Sequence, residues 1–206
     1  MAKLNSTNLL DCIRHHYKSV EPSLPDGGKW LQTIRRHNFD SFVKDGPPKK
    51  KWESWKYSNT VAVEKALVKA CESVLSSENE FLPLPLIQDS YRCAILNGKL
   101  INDLTSIQKL PTGVLFKGLA SSLSSNAKWL KQYLTARDFE KLPLAALNTA
   151  FLNDGYILSI EPDTIVDNPI EITFLNSFGL VQPHNIVIAG ENSKATIIEH
   201  YIGEQN

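Results

Sequence analysis

Two groups of histidine and cysteine residues have the types and spacing that metal binding requires. Cys12, His15 and His16 are three and four positions apart, so a helix would place them on one face, where a metal ion could contact two or three of them. His184 and His200 lie in or beside predicted strands and are further candidate ligands. Packing at the edge of a core is the simpler explanation, because no other cluster of ligands accompanies these residues. We therefore predict no metal site.

Five acidic residues cluster around two predicted strands in the last third of the chain. They are Asp154, Glu161, Asp163, Asp167 and Glu171. Paired carboxylates hydrolyse glycosidic bonds, whereas aspartates in turns between strands accept backbone hydrogen bonds. We favour the second role and keep a β-helix carbohydrate-active enzyme as an alternative.

The segment from Lys49 to Tyr57 alternates positive charge with aromatic rings, a combination that binds single-stranded nucleic acid through phosphate contacts and base stacking. The other interpretation is a solvated lysine run followed by aromatic residues that anchor it to the core. The chain has 22 basic and 22 acidic residues and a formal net charge of zero, so no overall field attracts nucleic acid or an anionic membrane. We expect no nucleic-acid partner, and a single-stranded nucleic-acid binding module is the second alternative.

Motifs for nucleotide binding or covalent catalysis are missing from the sequence. The glycines at 27 and 28, before Lys29 and Trp30, lack the upstream glycine and the serine or threonine of a phosphate-binding loop. No nucleophile elbow and no C-x-x-C pair occurs. The residues alone thus indicate a non-catalytic interaction or scaffold protein rather than an enzyme.

Composition is that of a folded protein in a reducing compartment. The 206 residues are 42% hydrophobic, enough for one large domain or two small ones. The N-terminus has no apolar segment of signal-peptide length, and no run is long enough to span a bilayer. The three cysteines, Cys12, Cys71 and Cys93, are odd in number and far apart, which argues against a disulfide framework. We expect a cytoplasmic protein without a membrane partner.

Hydrophobic periodicity and turn residues divide the chain into a helical part and a strand-rich part. Residues 1–153 read as a mostly helical domain with one small β element, a hairpin around Asn97-Gly98. Predicted helices cover 9–20, 30–45, 61–75, a segment capped by Ser121 or Ser122 that runs to Leu134, and 143–151, and a further strand covers 114–116. The prolines at 83 and 85 predict an extended connector over 81–86.

Residues 154–206 read as a second domain made of strands. The runs 156–160, 170–175, 186–189 and 195–202 are short, apolar and separated by turn residues. The link over 190–193 is short enough for a hairpin, so the pattern leaves a sandwich and a parallel β-helix equally open.

Three segments together resemble SufD, the scaffold subunit of the Suf iron–sulfur cluster assembly system, and their order and spacing agree with it over most of the chain. The first runs over 46–58 and contains Glu53, Trp55, Lys56 and Tyr57 of the family's Glu-x-Trp-Lys-Tyr pattern. The second comprises 94–98 and 110–114, and the third comprises 147–155, the Pro-Ile pair at 169 and 170, and 195–201. His184 departs from the pattern, since the family favours arginine there.

The resemblance implies an α+β fold in which a helical N-terminal domain with a hairpin precedes the first rungs of a truncated right-handed parallel β-helix. It implies a non-catalytic scaffold that acts with a SufB-like partner and a SufC-like ATPase. It assigns no catalytic, cofactor-binding or metal residue to this chain, and the iron–sulfur cluster would be handled by the full complex. We interpret the Glu-x-Trp-Lys-Tyr match as structural, fixing the linker after the second helix.

Parallel β-helices end in a strand with unpaired backbone groups unless something covers that edge. We therefore predict self-association through residues near Ala195 to Ile202.

Overall fold

The computed structural model describes residues 6–72, 87–101, 110–125, 128–135, 142–176 and 179–203. The chain forms two compact units. Unit 1 comprises Met1–Val74 and Leu123–Leu152, and unit 2 comprises Leu75–Ser122 and Asn153–Asn206. The extended connector predicted over 81–86 lies outside the described residues.

Unit 1 is helical. Its helices are α1 (Ser6–Val20), α2 (Lys29–Asp45), α3 (Thr60–Glu72), α5 (Lys131–Thr135) and α6 (Pro143–Ala150). The apolar positions of α1 recur at helical spacing, so Leu9, Ile13 and Tyr17 are all buried. The Tyr17 ring stacks on Phe39 with the ring centroids 4.1 Å apart, which joins α1 to α2.

Helix α2 ends where the sequence predicts. Gly46 adopts φ 74°, a conformation that glycine reaches without steric cost, and its N–H donates to the carbonyl of Phe42 at 2.8 Å. Pro47 follows and cannot continue the helix.

A buried arginine on α2 holds the loops of unit 1 in place. The Arg35 side chain donates from Nε and Nη2 to the Leu152 carbonyl at 3.1 and 2.6 Å, and from Nη1 to the Pro25 carbonyl at 2.8 Å. Arg35 is 4% exposed, so these bonds replace water around its charge. Burial lowers the pKa of Arg35 to about 10.

Unit 2 contains two sheets. One has the strand order β2–β1–β5–β7, and the other has the order β3–β4–β6. The strands are β1 (Tyr91–Leu96), β2 (Lys99–Ile101), β3 (Val114–Gly118), β4 (Tyr156–Ile160), β5 (Ile170–Asn176), β6 (Ile186–Ala189) and β7 (Ile197–Gly203), and the short helix α4 (Leu119–Ser124) follows β3.

Strands β4 to β7 alternate between the sheets, so the chain passes through both sheets twice. Each second-pass strand lies parallel to its first-pass counterpart, β6 beside β4 and β7 beside β5. Ile157 pairs with Ile186, 29 residues later, and Ile165 pairs with Lys194 at the same interval. The hairpin that the 190–193 link permitted does not form, because β6 and β7 belong to different sheets.

The space between the two sheets is filled by side chains from alternate strand positions. Cys93 and Ile95 of β1, Leu158 of β4, and Ile172 and Phe174 of β5 are buried there. The outer face of the β1–β5–β7 sheet carries the intervening positions.

The mixed fold of helices followed by sheets confirms the α+β prediction at that level. The predicted hairpin forms around Asn97 and Gly98, whose φ values of 46° and 82° suit a type I′ turn. Its first strand, β1, also pairs in parallel with β5, so the hairpin lies in unit 2 with the later strands. Local patterns could not reveal this pairing, because the two strands are separated by more than seventy residues.

The predicted helix capped by Ser121 or Ser122 is wrong in its boundaries. Helix α4 begins at Leu119, and α5 is a separate helix. The Asp154 carboxylate, rather than a serine, accepts from the Ala120 N–H at 2.9 Å. A cap supplied from a distant part of the chain leaves no trace in the local sequence.

Gly155 lies where unit 2 tolerates no side chain. Its φ is +147°, and a Cβ there would overlap the backbone of His184. We expect Gly155→Ala to lower the free energy of unfolding by more than about 2 kcal/mol, measured by urea denaturation. Gly203→Ala is the matched control, because its Cβ would come no closer than 3.8 Å to Asn176 O. Equal stability of the two variants would contradict this prediction.

Candidate functional site

The structure does not assemble a metal site from the helix α1 residues. His16 packs on Phe151 with ring centroids 5.5 Å apart, and burial lowers the pKa of His16, with His15 adding to the effect. Cys12 lies beside Cys71 of α3, and burial raises the pKa of the Cys71 thiol to about 12. In the described ranges, no three His, Cys, Asp or Glu side chains come together in a way that could hold a metal ion.

The acidic residues of the strand-rich part have separate positions. Asp154 caps α4 as described above, and its other carboxylate oxygen accepts from the Leu100 N–H at 3.4 Å. Asp163 adopts φ 58° in a turn and accepts from Asn192 Nδ2 at 3.0 Å. Asn192 itself has φ 59° one coil later, so two similar turns stack. These are the turn roles that the sequence predicted, and they do not form a pair of catalytic carboxylates.

Glu171 is the exception, because it lies on the outer face of β5 and is only 1% exposed. Its Oε2 accepts from Ser90 Oγ at 2.8 Å and from the Ile87 N–H at 3.2 Å. The Arg92 Nε lies 3.4 Å from the same oxygen, and the Arg92 Nη2 donates to the Ile87 carbonyl at 2.8 Å. Strand pairing explains the contact, since Arg92 of β1 is the register partner of Glu171.

His200 of β7 approaches the other oxygen of the same carboxylate. His200 Nε2 lies 3.1 Å from Glu171 Oε1, which is ion-pair distance, but the angles do not satisfy a hydrogen bond and neither atom has another partner. Arg92, Glu171 and His200 therefore form a charged row across three adjacent parallel strands. We refer to these three residues as the Glu171 row.

The Glu171 row is closed to a substrate. A carboxylate that is 1% exposed cannot reach a ligand without opening of the sheet, and Arg92 already balances its charge. The row joins β1, β5 and β7 across the outer face, which is a structural role.

A second polar cluster faces the space between the sheets. Glu199 on β7 takes the position that Ile172 has on β5. Its carboxylate accepts from the Tyr156 hydroxyl at 2.8 Å, from the Tyr201 hydroxyl at 2.9 Å and from Asn185 Nδ2 at 3.5 Å. Burial raises the pKa of Tyr156, and burial also raises that of Tyr201 to about 12, each with a further contribution from Glu199. Both phenols thus remain donors at neutral pH.

The Glu199 cluster is open where the Glu171 row is closed. Glu199 is exposed and Tyr201 is 65% exposed, while Tyr156 beneath them is buried. The Phe174 ring stacks on Tyr201 with centroids 4.7 Å apart, which fixes the second phenol. This arrangement positions a carboxylate by two phenols but supplies no base, nucleophile or second carboxylate beside it.

His184 has a backbone role. Its N–H donates to the Asp154 carbonyl at 3.0 Å, and its main chain lies against Gly155. Burial lowers the pKa of the His184 imidazole.

The segment from Lys49 to Tyr57 stays on the surface of unit 1. Lys56 and Tyr57 are exposed, as is Glu53, while Trp52 and Trp55 are half-buried. The two tryptophans fit the structural role expected for the Glu-x-Trp-Lys-Tyr match, but Tyr57, at 92% exposure, does not. We call residues 49–57 the basic-aromatic ridge.

A cleft of about 510 Å³ lies between α1 and α2 in unit 1. Tyr17, Glu21, Asp26, Gln32 and Arg35 contribute polar groups to its wall. Arg35 uses its guanidinium on the backbone carbonyls described above, and Gln32 Nε2 lies 3.4 Å from Asp26 Oδ1. The polar wall is thus largely occupied by its own contacts.

Sequence reasoning named Glu171 and His200 separately and missed that they meet. It did not single out Arg92, Tyr156 or Glu199. The signal was present only as alternation, because Arg92, Glu171 and His200 are the polar residues at outward positions of apolar strands. Recognising the row requires the register of the three strands.

Comparison with known proteins identifies related sequences. Residues 8–172 match the family described as "SufBD protein N-terminal region". A protein of Synechocystis sp. described as "Iron-sulfur cluster assembly SufBD family protein" is 25% identical over 162 residues, which is 75% of this chain. The matched stretch spans 35% of that relative's length.

Removal of the buried carboxylate should destabilise unit 2. We expect Glu171→Ala to lower the free energy of unfolding by about 3 kcal/mol, because it leaves Arg92 and the Ile87 N–H without their acceptor. Urea denaturation followed by circular dichroism measures the change.

Glu191→Ala is the matched control, since Glu191 is exposed in a turn of the same unit. Its stability should stay within about 0.5 kcal/mol of the parent chain. A Glu171→Ala variant as stable as this control would show that the row contributes nothing.

Proposed function

This chain belongs to the SufBD family, and we propose that it acts as a SufD-type, non-catalytic scaffold in iron–sulfur cluster assembly. We propose further that its partners are a SufB-like protein and a SufC-like ATPase. The match to the family over residues 8–172 is the observation that carries the proposal. The joint resemblance of three separated segments to SufD supports the choice of SufD over SufB.

The topology of unit 2 supports a parallel β-helix as the scaffold. Two passes through the same two sheets stack in parallel, and the interval of 29 residues holds both for the β4–β6 pair and for the Ile165–Lys194 bridge. A constant interval is what successive coils of a solenoid produce. We propose that β4 to β7 form the first coils of a right-handed β-helix.

A scaffold role also agrees with the state of the polar residues. The Glu171 carboxylate is enclosed by Arg92 and Ser90, and Asp154 and Asp163 bind backbone and amide groups. The carbohydrate-enzyme alternative needs two carboxylates facing a common space, and these residues do not provide that arrangement.

The cysteines support a reducing location. Cys12, Cys71 and Cys93 are all free thiols. In the described parts of the chain, every helix is too short or too polar to cross a bilayer. We propose the cytoplasm as the site of action.

The partner proposal is testable in the organism's own cells. We expect the tagged chain, expressed from its own locus, to co-purify with an ATPase and a SufB-like protein. Depletion of the chain should lower the activity of an iron–sulfur enzyme such as aconitase, with its polypeptide level unchanged. Recovery of the tagged chain alone, from cells in which a tagged SufB-like protein retrieves the ATPase, would refute the proposal.

We propose that β7 also mediates self-association, because it ends its sheet with one backbone edge unpaired by the other described strands. We expect sedimentation velocity to show a species larger than the monomer at increasing concentration. Tyr201→Lys should shift the equilibrium towards monomer, since a charge on an edge strand opposes pairing.

Tyr133→Lys is the matched control, because Tyr133 is an exposed aromatic residue of unit 1. It should self-associate as the parent chain does. A monomer at every concentration would show that the β7 edge is not used.

A further inference from the structure

The basic-aromatic ridge concentrates positive charge in a chain whose net charge is zero. It contains four exposed lysines, Lys49, Lys50, Lys51 and Lys56, and one acidic residue, Glu53. Lys56 lies 4.0 Å from Glu53, a loose and exposed ion pair. Among the described residues, the other three lysines have no ion pair. The ridge thus has a local excess of positive charge that its own unit does not neutralise.

The backbone of the ridge is fixed by successive turns. The Trp52 N–H donates to the Lys49 carbonyl and the Trp55 N–H to the Trp52 carbonyl, both at 2.9 Å. The Ser58 N–H then donates to the Trp55 carbonyl at 3.0 Å. Such a segment loses little conformational entropy when it binds, so its side chains are already arranged for contact.

Both ends of the ridge are held by helices. The buried residues Gly46, Pro47 and Pro48 connect it to α2. Asn59 caps α3, since its Oδ1 accepts from the Ala62 N–H at 3.1 Å. The exposure of the ridge is therefore a feature of a well-anchored segment.

Aromatic rings direct two of the ammonium groups. Lys49 Nζ lies 5.5 Å from the centroid of Trp52, and Lys56 Nζ lies 5.5 Å from the centroid of Tyr57. These contacts hold the long side chains along the ridge. Tyr57, 92% exposed, projects beside them as an uncovered aromatic group.

The chemistry of the ridge matches an acidic polypeptide that also carries apolar side chains. Carboxylates would meet the lysines, and an apolar side chain would cover Tyr57, as tyrosine commonly does at the centre of protein interfaces. We propose that the basic-aromatic ridge docks an acidic segment of a partner protein. The proposal rests on unit 1 alone and does not depend on the iron–sulfur role.

Nucleic acid and membrane fit less well. Stacking of successive bases needs several open rings, but Trp52 and Trp55 are half-buried and only Tyr57 is open. Insertion into a lipid interface uses an amphipathic helix with large apolar groups, whereas the ridge is a series of turns with one exposed ring.

Fluorescence anisotropy of a labelled peptide of alternating glutamate and leucine residues tests the proposal. We expect saturable binding that is about tenfold weaker in a triple variant, Lys49→Glu with Lys50→Glu and Lys51→Glu. Tyr57→Ser should weaken binding without a change in net charge. Circular dichroism and a melting curve must match those of the parent chain for each variant.

The control is a second triple variant, Lys18→Glu with Lys29→Glu and Lys131→Glu, which removes three exposed lysines elsewhere in unit 1. It has the same net charge as the ridge variant and should bind the peptide as the parent does. An equal loss in this control would overturn the proposal by showing a general charge effect. Absence of peptide binding would also overturn it.

Two further probes separate the classes of partner. Oligothymidylate and vesicles that contain phosphatidylserine are titrated under the same salt conditions. Weaker binding of both than of the peptide would support the protein partner. Tighter binding of either, lost in the ridge variant, would overturn the proposal in favour of that ligand class.

Discussion

The parallel backbone ladder through β1, β5 and β7 is the constraint on which unit 2 depends. In that ladder Ile172 lies between Cys93 and Glu199. Side chains alternate between the faces of a strand, so this register sends these three inwards and sends Arg92 and Glu171 outwards. A slip of one residue would move the Glu171 charge into the apolar space between the sheets. The outward charges and the inward apolar residues thus favour the same register.

The turns between strands maintain this register from one coil to the next. Asp163 and Asn192 have nearly the same positive φ, and the amide of one binds the carboxylate of the other. The Gly155 position brings the next coil's backbone close, since a Cβ would overlap His184. Such stacking leaves little tolerance for a different interval between coils, which is why the interval of 29 residues recurs.

The sequence predicted elements whose signals are local and failed where partners are distant. Gly46 marks the end of α2 and Asn97-Gly98 the hairpin turn, and both are confirmed because their conformations are set by the residues themselves. The α4 start was wrong because Asp154, far along the chain, supplies its cap. The Glu171 row was missed for the same reason, since three strands meet there whose order in the sheet differs from their order in the sequence.

Polar residues of the two units differ in what their own fold requires of them. Glu171, Asp154 and Asp163 hold donors of their own unit, and the energy of those contacts depends on keeping other molecules away. Tyr57 and the lysines of the basic-aromatic ridge do the opposite, because unit 1 would keep its core without them. A tyrosine left 92% exposed on a hydrogen-bonded, helix-anchored segment retains apolar area that only another molecule can cover. Rigidity and exposure together therefore separate a surface for recognition from polar residues that serve the register of the coil.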